Sequence, residues 1–249
     1  MRSTIETATD TEYRQAFDLN FSLRLNFEFV QRSSAIEDYA KAIYALEQRG
    51  AGPVSTNALA ERLGVTAASA SGMVRRLDEQ GLVEHEPYRG VELTEAGRRV
   101  ALEVLRHHRL LELYLARSLD VPWDRVHAEA EVLEHVLSEE LEALIAAKLG
   151  HPTVDPHGDP IPTADLVIEE RPTLCLADVP VGTQAMFVRI SDSDPEMLRY
   201  LAERGIAPPA PLEVVDKQPF GGPTFARFGD DVHVLGGSLA AAMRVEVSP

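Results

Sequence analysis

The chain has 249 residues, of which 45% are hydrophobic, and this is enough for two or three small globular domains. It has no apolar run long enough to span a bilayer and no signal-peptide pattern, so we expect a cytoplasmic protein without a membrane partner. The single cysteine, Cys175, excludes an intramolecular disulfide and a thiolate metal cluster built by one chain.

The net charge of −16 argues at first against a partner as acidic as DNA, because non-specific affinity for DNA comes from basic side chains. The charge is unevenly distributed, however. Residues 101–170 carry fifteen acidic and five basic side chains, whereas residues 54–100 carry seven and six. Bound divalent cations would offset part of the acidity of the first region, and the second region is nearly neutral.

Residues 1–34 mix charged and aromatic residues without clear periodicity, and we interpret them as an arm that is disordered or packed on a partner. Helical spacing of apolar residues then predicts a first helix over 36–46 and a short second helix over 57–63. Thr66 is a suitable N-cap for a third helix, which ends just before Gly81.

Strand-like segments at 82–87 and 91–93 flank a short turn and predict a β-hairpin after this helical pair. The order of helix, helix-turn-helix and hairpin is typical of a winged helix that binds DNA. A winged helix that makes only protein contacts is the less common alternative.

The third helix would place its N-terminal residues in the major groove of DNA. Its side chains there are small, which predicts weak base contacts, with phosphate contacts and DNA shape contributing much of the binding. The candidate DNA-binding residues are Thr66, Ala68, Ser69, Ser71, Arg75, Arg76 and the wing residue Arg89.

Thr94 can cap a long helix that runs from Glu95 to about Leu119. Its apolar stripe is too wide for one partner, so we expect the surplus to lie at a dimer interface. The helix also carries His108 and Glu112, an i, i+4 pair that can face the next segment.

The stretch from 127 to 135 reads His-Ala-Glu-Ala-Glu-Val-Leu-Glu-His. If it is helical, two imidazoles and two carboxylates fall on one face. These residues are His127, Glu131, Glu134 and His135. Such a face is costly to bury unless its charges are paired or bound to a cation, which favours a metal site over the alternative of a solvated charged surface.

The remainder of the chain changes character after a helix predicted over 139–149. Residues 151–162 form a proline-rich loop whose histidines and aspartates are more typical of turns than of a metal cluster, and 163–172 is a linker. From 174 on, short strands alternate with two helical pieces, which predicts a small SH3-like β-barrel. The predicted strands are 185–190, 211–215, 224–227, 232–235 and 243–247, and the helices are 195–204 and 238–242.

Several motifs in this order resemble the metal-dependent repressors of the diphtheria toxin repressor and manganese transport regulator family, over residues 35–249. They include Ile-Glu-Asp-Tyr-Ala-Lys-Ala-Ile-Tyr (36–44), the helix-turn-helix (57–80), Tyr-Arg-Gly-Val-Glu-Leu-Thr (88–94), His-His-Arg-Leu-Leu-Glu (107–112), the 127–135 stretch and His-Gly-Asp-Pro-Ile-Pro (157–162). The resemblance implies a mainly α protein with a small β domain. Its expected parts are an arm (1–34), a winged-helix DNA-binding domain (35–98), a helical metal-binding and dimerisation domain (99–162), a linker (163–173) and an SH3-like, FeoA-like domain (174–249).

The resemblance also implies two metal sites. The primary site would be formed by Asp38, Glu131, Glu134 and His135. The second site would be formed by His108, Glu112 and His127, completed by a C-terminal carboxylate, of which Asp194 is the best match, with Glu196 nearby. Two separated sites are expected, because Lys41 stands where two-domain manganese regulators have a second glutamate.

The choice of metal follows from the ligand types. Iron-type members have cysteine and methionine where this chain has Glu131 and Asp38, and a site of carboxylates and histidine without thiolate suits Mn²⁺ or Fe²⁺. Zn²⁺, Co²⁺, Ni²⁺ or Cd²⁺ could also bind in vitro. We therefore expect a Mn²⁺-dependent regulator of metal-uptake genes that binds a double-stranded DNA operator as a homodimer, in which the metal fixes a DNA-competent arrangement.

Two other functions remain as alternatives. A metalloenzyme is disfavoured, because the chain has no His-Glu-x-x-His, no Glu-x-x-His pair at 131–135 and no phosphate loop. A metal buffer with an incidental helix-turn-helix would bind metal without a DNA complex.

Overall fold

The computed structural model describes residues 33–50, 52–86 and 89–247. Almost all of the arm expected at 1–34 lies outside these residues. Within the described ranges, no helix is both long enough and apolar enough to cross a membrane.

Three helices and a hairpin form the first part of the structure, as the sequence predicts. The elements are α1 (Ser34–Glu47), α2 (Thr56–Leu63), α3 (Ala67–Glu79), β1 (Val83–Glu86) and β2 (Gly90–Leu93). Thr66 caps α3 by accepting a hydrogen bond from the N–H of Ser69, and β1 pairs antiparallel with β2. Ile43, Leu59 and Leu77 are fully buried in their shared core. This confirms the predicted winged helix.

The second part consists of α4 (Glu95–Leu119), α5 (Val126–Leu133) and α6 (Glu139–Lys148). The cap predicted for α4 is present, and α6 is capped in the same way, because the Thr94 and Ser138 side chains accept from backbone N–H groups in the first turns. The start of α4 packs tightly on the hairpin: a Cβ on Gly97 would lie 1.9 Å from the Leu82 carbonyl oxygen.

Two expectations about these helices need correction. The apolar stripe of α4 is largely buried within the chain, as Val100, Leu110 and Leu113 show, so it leaves little surplus for a dimer. Helix α5 ends at Leu133, so Glu134 and His135 lie in the turn behind it. The larger apolar exposure instead lies on α5, α6 and the turn between them.

The C-terminal part is a six-stranded antiparallel sheet with strand order β3-β8-β4-β5-β6-β7. Its elements are β3 (Leu174–Cys175), a 3₁₀ turn (Leu176–Asp178), β4 (Gln184–Ile190), α7 (Pro195–Ala202), β5 (Ala210–Lys217), β6 (Thr224–Phe228), β7 (Asp231–Leu235), α8 (Gly237–Ala242) and β8 (Met243–Val247). Phe187, Val214 and Val245 are fully buried in its core. The predicted SH3-like fold is confirmed, and the added elements are the two-residue strand β3 and the 3₁₀ turn after it.

The proline-rich loop packs against β4. The N–H of Ile190 donates to the carbonyl oxygen of His157, at 3.0 Å. A Cβ on Gly158 would lie 1.8 Å from the carbonyl oxygen of Val188, and its φ of +89° suits glycine. The loop thereby joins the helical part to the sheet and fixes the position of His157.

Candidate metal centre

The first group of metal-binding donors joins α1 to the turn after α5. Nε2 of His135 lies 2.9 Å from Oδ1 of Asp38 and 3.5 Å from Oε1 of Glu134. Donor atoms of these three residues lie within 4.8 Å of one another, as ligands of one ion would. Nδ1 of the same imidazole lies 2.6 Å from Oε2 of Glu37, a contact that the sequence reasoning missed and that orients the ring.

Lys41 lies between Glu131, the fourth predicted ligand, and Glu134. Its Nζ donates to Oε1 of Glu131 and to Oε1 of Glu134, at 2.6 Å each. Burial lowers the pKa of Lys41, but the carboxylates of Glu134 and Glu131 raise it by more, so that the side chain stays an ammonium. Three of the four predicted primary ligands therefore form one group, and Glu131 lies close to Glu134 and His108 in an adjoining group of donors, besides its contact with Lys41.

The second group of donors surrounds His108 on α4. Nε2 of His108 lies 3.0 Å from Oε1 of Glu112 and 3.1 Å from Nδ1 of His127, so the structure brings the three predicted residues together. Nδ1 of His127 also lies 2.8 Å from Oδ2 of Asp192, in the loop after β4. The donors of these four residues lie within 4.8 Å of one another.

The C-terminal carboxylate of this group differs from the prediction. Asp194 is the N-cap of α7, and its Oδ1 accepts from the N–H groups of Glu196 and Met197 at 2.9 and 3.3 Å. In the described part of the chain, the clusters of close donors include Asp192 but neither Asp194 nor Glu196. The Asp194–Pro195 pair is a typical helix start, and this signal could have identified Asp194 as a cap.

His157 is a further side chain at this centre, although the sequence analysis assigned its loop to turn chemistry. It is fully buried, and its Nε2 donates to the carbonyl oxygen of Trp123 at 2.8 Å. Its Nδ1 lies 3.7 Å from Oε2 of Glu112, and both atoms are buried without a hydrogen-bond partner among the described residues. Asp155 in the same loop does show the predicted turn chemistry, since its Oδ1 accepts from the N–H groups of His157 and Asp159.

The carboxylates of this second group raise the pKa values of its histidines. Hydrogen bonds to Asp192 and Glu112 raise the pKa of His127 to about 10. Burial lowers the pKa of His108, but hydrogen bonds to Glu112 and Glu134 outweigh it and raise that pKa to about 9. Burial also raises the pKa of Glu112, yet its histidine partners bring that pKa well below its usual range. This group of carboxylates therefore favours positive charge at the position where its donors meet.

Both groups fit a divalent cation. Every donor is a carboxylate oxygen or an imidazole nitrogen, the geometry brings at least three within reach of one ion, and Oε2 of Glu112 is buried with a free lone pair. Oxygen-rich sets of this kind suit hard cations such as Mn²⁺.

The neighbouring His107 has a different role from His108. Its Nε2 lies 3.2 Å from Oε2 of Glu142, whose Oε1 accepts from Nε of Arg106 at 2.7 Å. Burial lowers the pKa of His107, but hydrogen bonds to Glu139 and Glu142 raise it to about 10. This buried ionic cluster holds α6 against α4.

The candidate DNA-binding face lies on α3 and the hairpin. All seven predicted residues are exposed, which agrees with their proposed contacts. The Thr66 and Ser69 hydroxyls hydrogen-bond each other at 2.9 Å, and Arg89 pairs with Glu86 at 3.0 Å. Arg75 and Arg76 are the basic side chains on the exposed part of this helix.

Comparisons with known proteins cover nearly all of the described chain. Residues 32–91 match the family described as "Iron dependent repressor, N-terminal DNA binding domain", and 94–163 match "Iron dependent repressor, metal binding and dimerisation domain". Residues 174–247 match the FeoA domain.

Individual relatives are similar over most of their length. The iron-dependent repressor IdeR of Mycobacterium tuberculosis (strain ATCC 25618 / H37Rv) is 34% identical over 222 residues, which are 84% of this chain and 96% of that protein. A solved manganese-dependent transcriptional repressor in complex with manganese is 44% identical, with a TM-score of 0.79 over 86% of this chain and 100% of that one. The manganese regulator SloR is 29% identical, with a TM-score of 0.69 over 86% and 98%.

Proposed function

Because the chain belongs to the iron-dependent repressor family of metal-dependent, DNA-binding transcriptional repressors, we propose that Mn²⁺ activates it, with Fe²⁺ as the alternative, and that it represses genes of metal uptake. The observation that carries the choice of metal is the donor chemistry around His135, where Asp38 and Glu134 supply oxygen and none of the clustered ligands supplies sulfur. A relative described as bound to manganese supports the same choice.

The primary site in this proposal consists of Asp38, Glu134 and His135, with Glu131 as the fourth ligand. Glu37 holds the other nitrogen of His135, which leaves Nε2 as the ligating atom. These residues come from α1 and from α5 with its following turn.

The second site consists of His108, Glu112, His127 and Asp192. Asp192 replaces the initially expected Asp194, which caps α7. Helices α4 and α5 supply three ligands and the SH3-like part supplies one, so this site connects the helical and C-terminal parts.

The mechanism rests on this division of ligands. A bound cation supplies positive charge that the carboxylates of α1 and of α5 share. Asp38 and Glu134 thereby hold α1 in one orientation, and α1 carries the helix-turn-helix with it. The energy available to DNA binding is limited to the difference in metal affinity between the two arrangements.

A homodimer on a double-stranded operator completes the proposal. The family description includes dimerisation in the region matched by 94–163. Exposed apolar side chains on α5, α6 and their connecting turn offer the surface, namely Val132, Val136, Leu141 and Leu144. The proposed domain bounds are 35–98, 99–162 and 174–249, with a linker at 163–173.

The test is operator binding by fluorescence anisotropy, on DNA selected from the gene's own upstream region, with and without Mn²⁺. Wild type should bind only with Mn²⁺, and Asp38→Ala and Glu134→Ala should lose that response. Asp165→Ala, an exposed acidic change in the linker, is the control. Mn²⁺-stimulated operator binding that survives both site substitutions would refute the proposed primary site. Metal binding by the protein without any DNA complex would favour the metal-buffer alternative.

A further inference from the structure

We propose that Lys41 is a built-in cation of the metal-free primary site, so that a metal ion must displace its ammonium group and binds more weakly than the ligands alone would allow. This inference rests on the proposed primary site and adds a residue that sets its affinity. The position of Nζ carries it, since this atom contacts Glu131 and Glu134 at 2.6 Å each.

The ammonium and a metal ion compete for the same oxygen. Oε1 of Glu134 accepts from Lys41, and Glu134 also belongs to the donor group with Asp38 and His135. An ion held by these three residues would have the ammonium of Lys41 within a few ångströms, and two cations at that separation repel each other. Filling the site therefore requires the lysine side chain to leave.

Burial explains why the metal-free site needs this cation. The Glu134 side chain is fully buried, and a buried carboxylate is strongly disfavoured unless it is paired. Its Oε1 is paired with Lys41 and its Oε2 with Nδ1 of His108, so each oxygen has one positive partner. The lysine side chain is itself only 16% exposed, so it is a packed component of the site.

The same helix supplies both the ligand and its competitor. Asp38 and Lys41 are three residues apart on α1, and therefore lie on the same face. Glu131 and Glu134 have the same spacing and meet that face from the other side. Lys41 thus keeps α1 attached to α5 before any metal binds, and Asp38 takes part once the ion is present.

The experiment compares Lys41→Met with wild type in two measurements on the full chain. Removal of the ammonium should tighten Mn²⁺ binding about tenfold or more, measured by the electron paramagnetic resonance signal of free Mn²⁺. It should also lower the melting temperature of the metal-free protein, because two carboxylates lose their cation. The proposal thus predicts a higher Mn²⁺ affinity together with a lower melting temperature. If the lysine were purely structural, its removal would lower both the Mn²⁺ affinity and the melting temperature.

Two further variants complete the design. Lys41→Gln keeps a hydrogen-bond donor without charge, and it should still tighten Mn²⁺ binding if Lys41→Met proves unable to fold. Lys148→Met makes the same chemical change at an exposed position on α6 and should leave both properties unchanged.

The outcomes separate this inference from the proposed function. If wild type binds Mn²⁺ through Glu134 but neither Lys41 variant binds it more tightly, the competition is refuted and the metal site stands. If Glu134→Ala leaves the Mn²⁺ affinity of wild type unchanged, the primary site itself is wrong and the inference falls with it.

Discussion

Single residues determine which ion this centre suits. Glu131 is a candidate ligand by its helical spacing with His127 and His135, because ligands on one helix follow a local pattern, whereas the resemblance to the family points to Asp38. Asp192 could not be identified in this way, since its approach to His127 depends on how the loop after β4 folds back onto α5. Glu37 was missed, and His157 was assigned to a turn, for the same reason.

The contrast between two nearby aspartates gives the first prediction. Asp192→Ala should weaken the second metal site by about 10- to 100-fold, because it removes a carboxylate that contacts His127. Asp194→Ala should leave that affinity unchanged but lower the free energy of unfolding by about 1 kcal/mol through the loss of the α7 cap.

Competitive titration with a fluorescent chelator gives the two affinities, and urea denaturation gives the stabilities. If Asp194→Ala weakens metal binding and Asp192→Ala leaves it unchanged, Asp194 is the ligand of the second site, as the sequence analysis expected.

The second prediction concerns protons. The pKa values of His108 and His127 are raised from 6.5 to about 9 and about 10, so both rings are charged at pH 7.5, and a metal can ligate only the neutral ring. Mn²⁺ binding at the second site should therefore release protons at pH 7.5, and its affinity should rise with pH until about pH 10.

Calorimetric titrations in buffers of different ionisation enthalpy measure this release. The free energy of unfolding of the metal-free protein should change in the opposite direction and fall as the pH rises. A raised pKa stabilises the folded state fully below pH 6.5, and this contribution is lost as the pH rises through about 9 to 10. Binding without proton release at pH 7.5 would show that both histidines are already neutral.

At the scale of elements, the sequence predicts the helices and strands well where a local signal defines them. Thr66 and Thr94 are N-caps in the structure as expected, Ser138 is a further one, and each accepts a hydrogen bond from the N–H three residues on. The misplaced end of α5 has a physical reason: Glu134 keeps helical backbone angles of −58° and −32°, so the helical spacing continues beyond the last helical hydrogen bonds. Strand β3 has two residues, too few for any period to show.

The loop at His157 gives the third prediction. Gly158→Ala should lower the free energy of unfolding by about 2–4 kcal/mol, because the new Cβ would meet the Val188 carbonyl oxygen and φ is +89°. Gly205→Ala also adds a Cβ at positive φ, +67°, but into open space, so it should cost only about 1 kcal/mol.

Denaturation in guanidinium chloride measures both costs. Gly158→Ala should in addition weaken the second metal site, because the displaced loop carries His157 and adjoins Glu112. Equal destabilisation by the two substitutions would mean that the loop can move away from β4 without loss.

At the scale of the whole molecule, the order of the parts is predictable and their contacts are not. Composition and motif order indicate the winged helix, the metal-binding helices and the SH3-like part, because each has its own local pattern. The surface expected to join two copies was placed on α4, but that stripe is buried inside the chain. Hydrophobicity alone does not distinguish an internal partner from an external one.

The fourth prediction therefore concerns association. Val136 is 77% exposed beside His135, and Val136→Glu should shift the protein from dimer to monomer in sedimentation equilibrium. Val181→Glu, at an exposed apolar position on the sheet domain, is the matched control and should leave the dimer intact. A dimer that persists with Val136→Glu but dissociates with Val181→Glu would move the interface to the C-terminal part.

His108 contacts both groups of ligands and so connects the two candidate metal sites. Its Nε2 faces the second group of ligands, while its Nδ1 contacts Oε2 of Glu134 in the first. A neutral imidazole has one N–H and one lone pair, so ligation through Nε2 leaves the N–H to hold Glu134. Metal binding at one site would then change the affinity of the other, and by reciprocity the change is equal in both directions. The two groups of ligands in one protomer would thus be linked through a single imidazole before any second copy takes part.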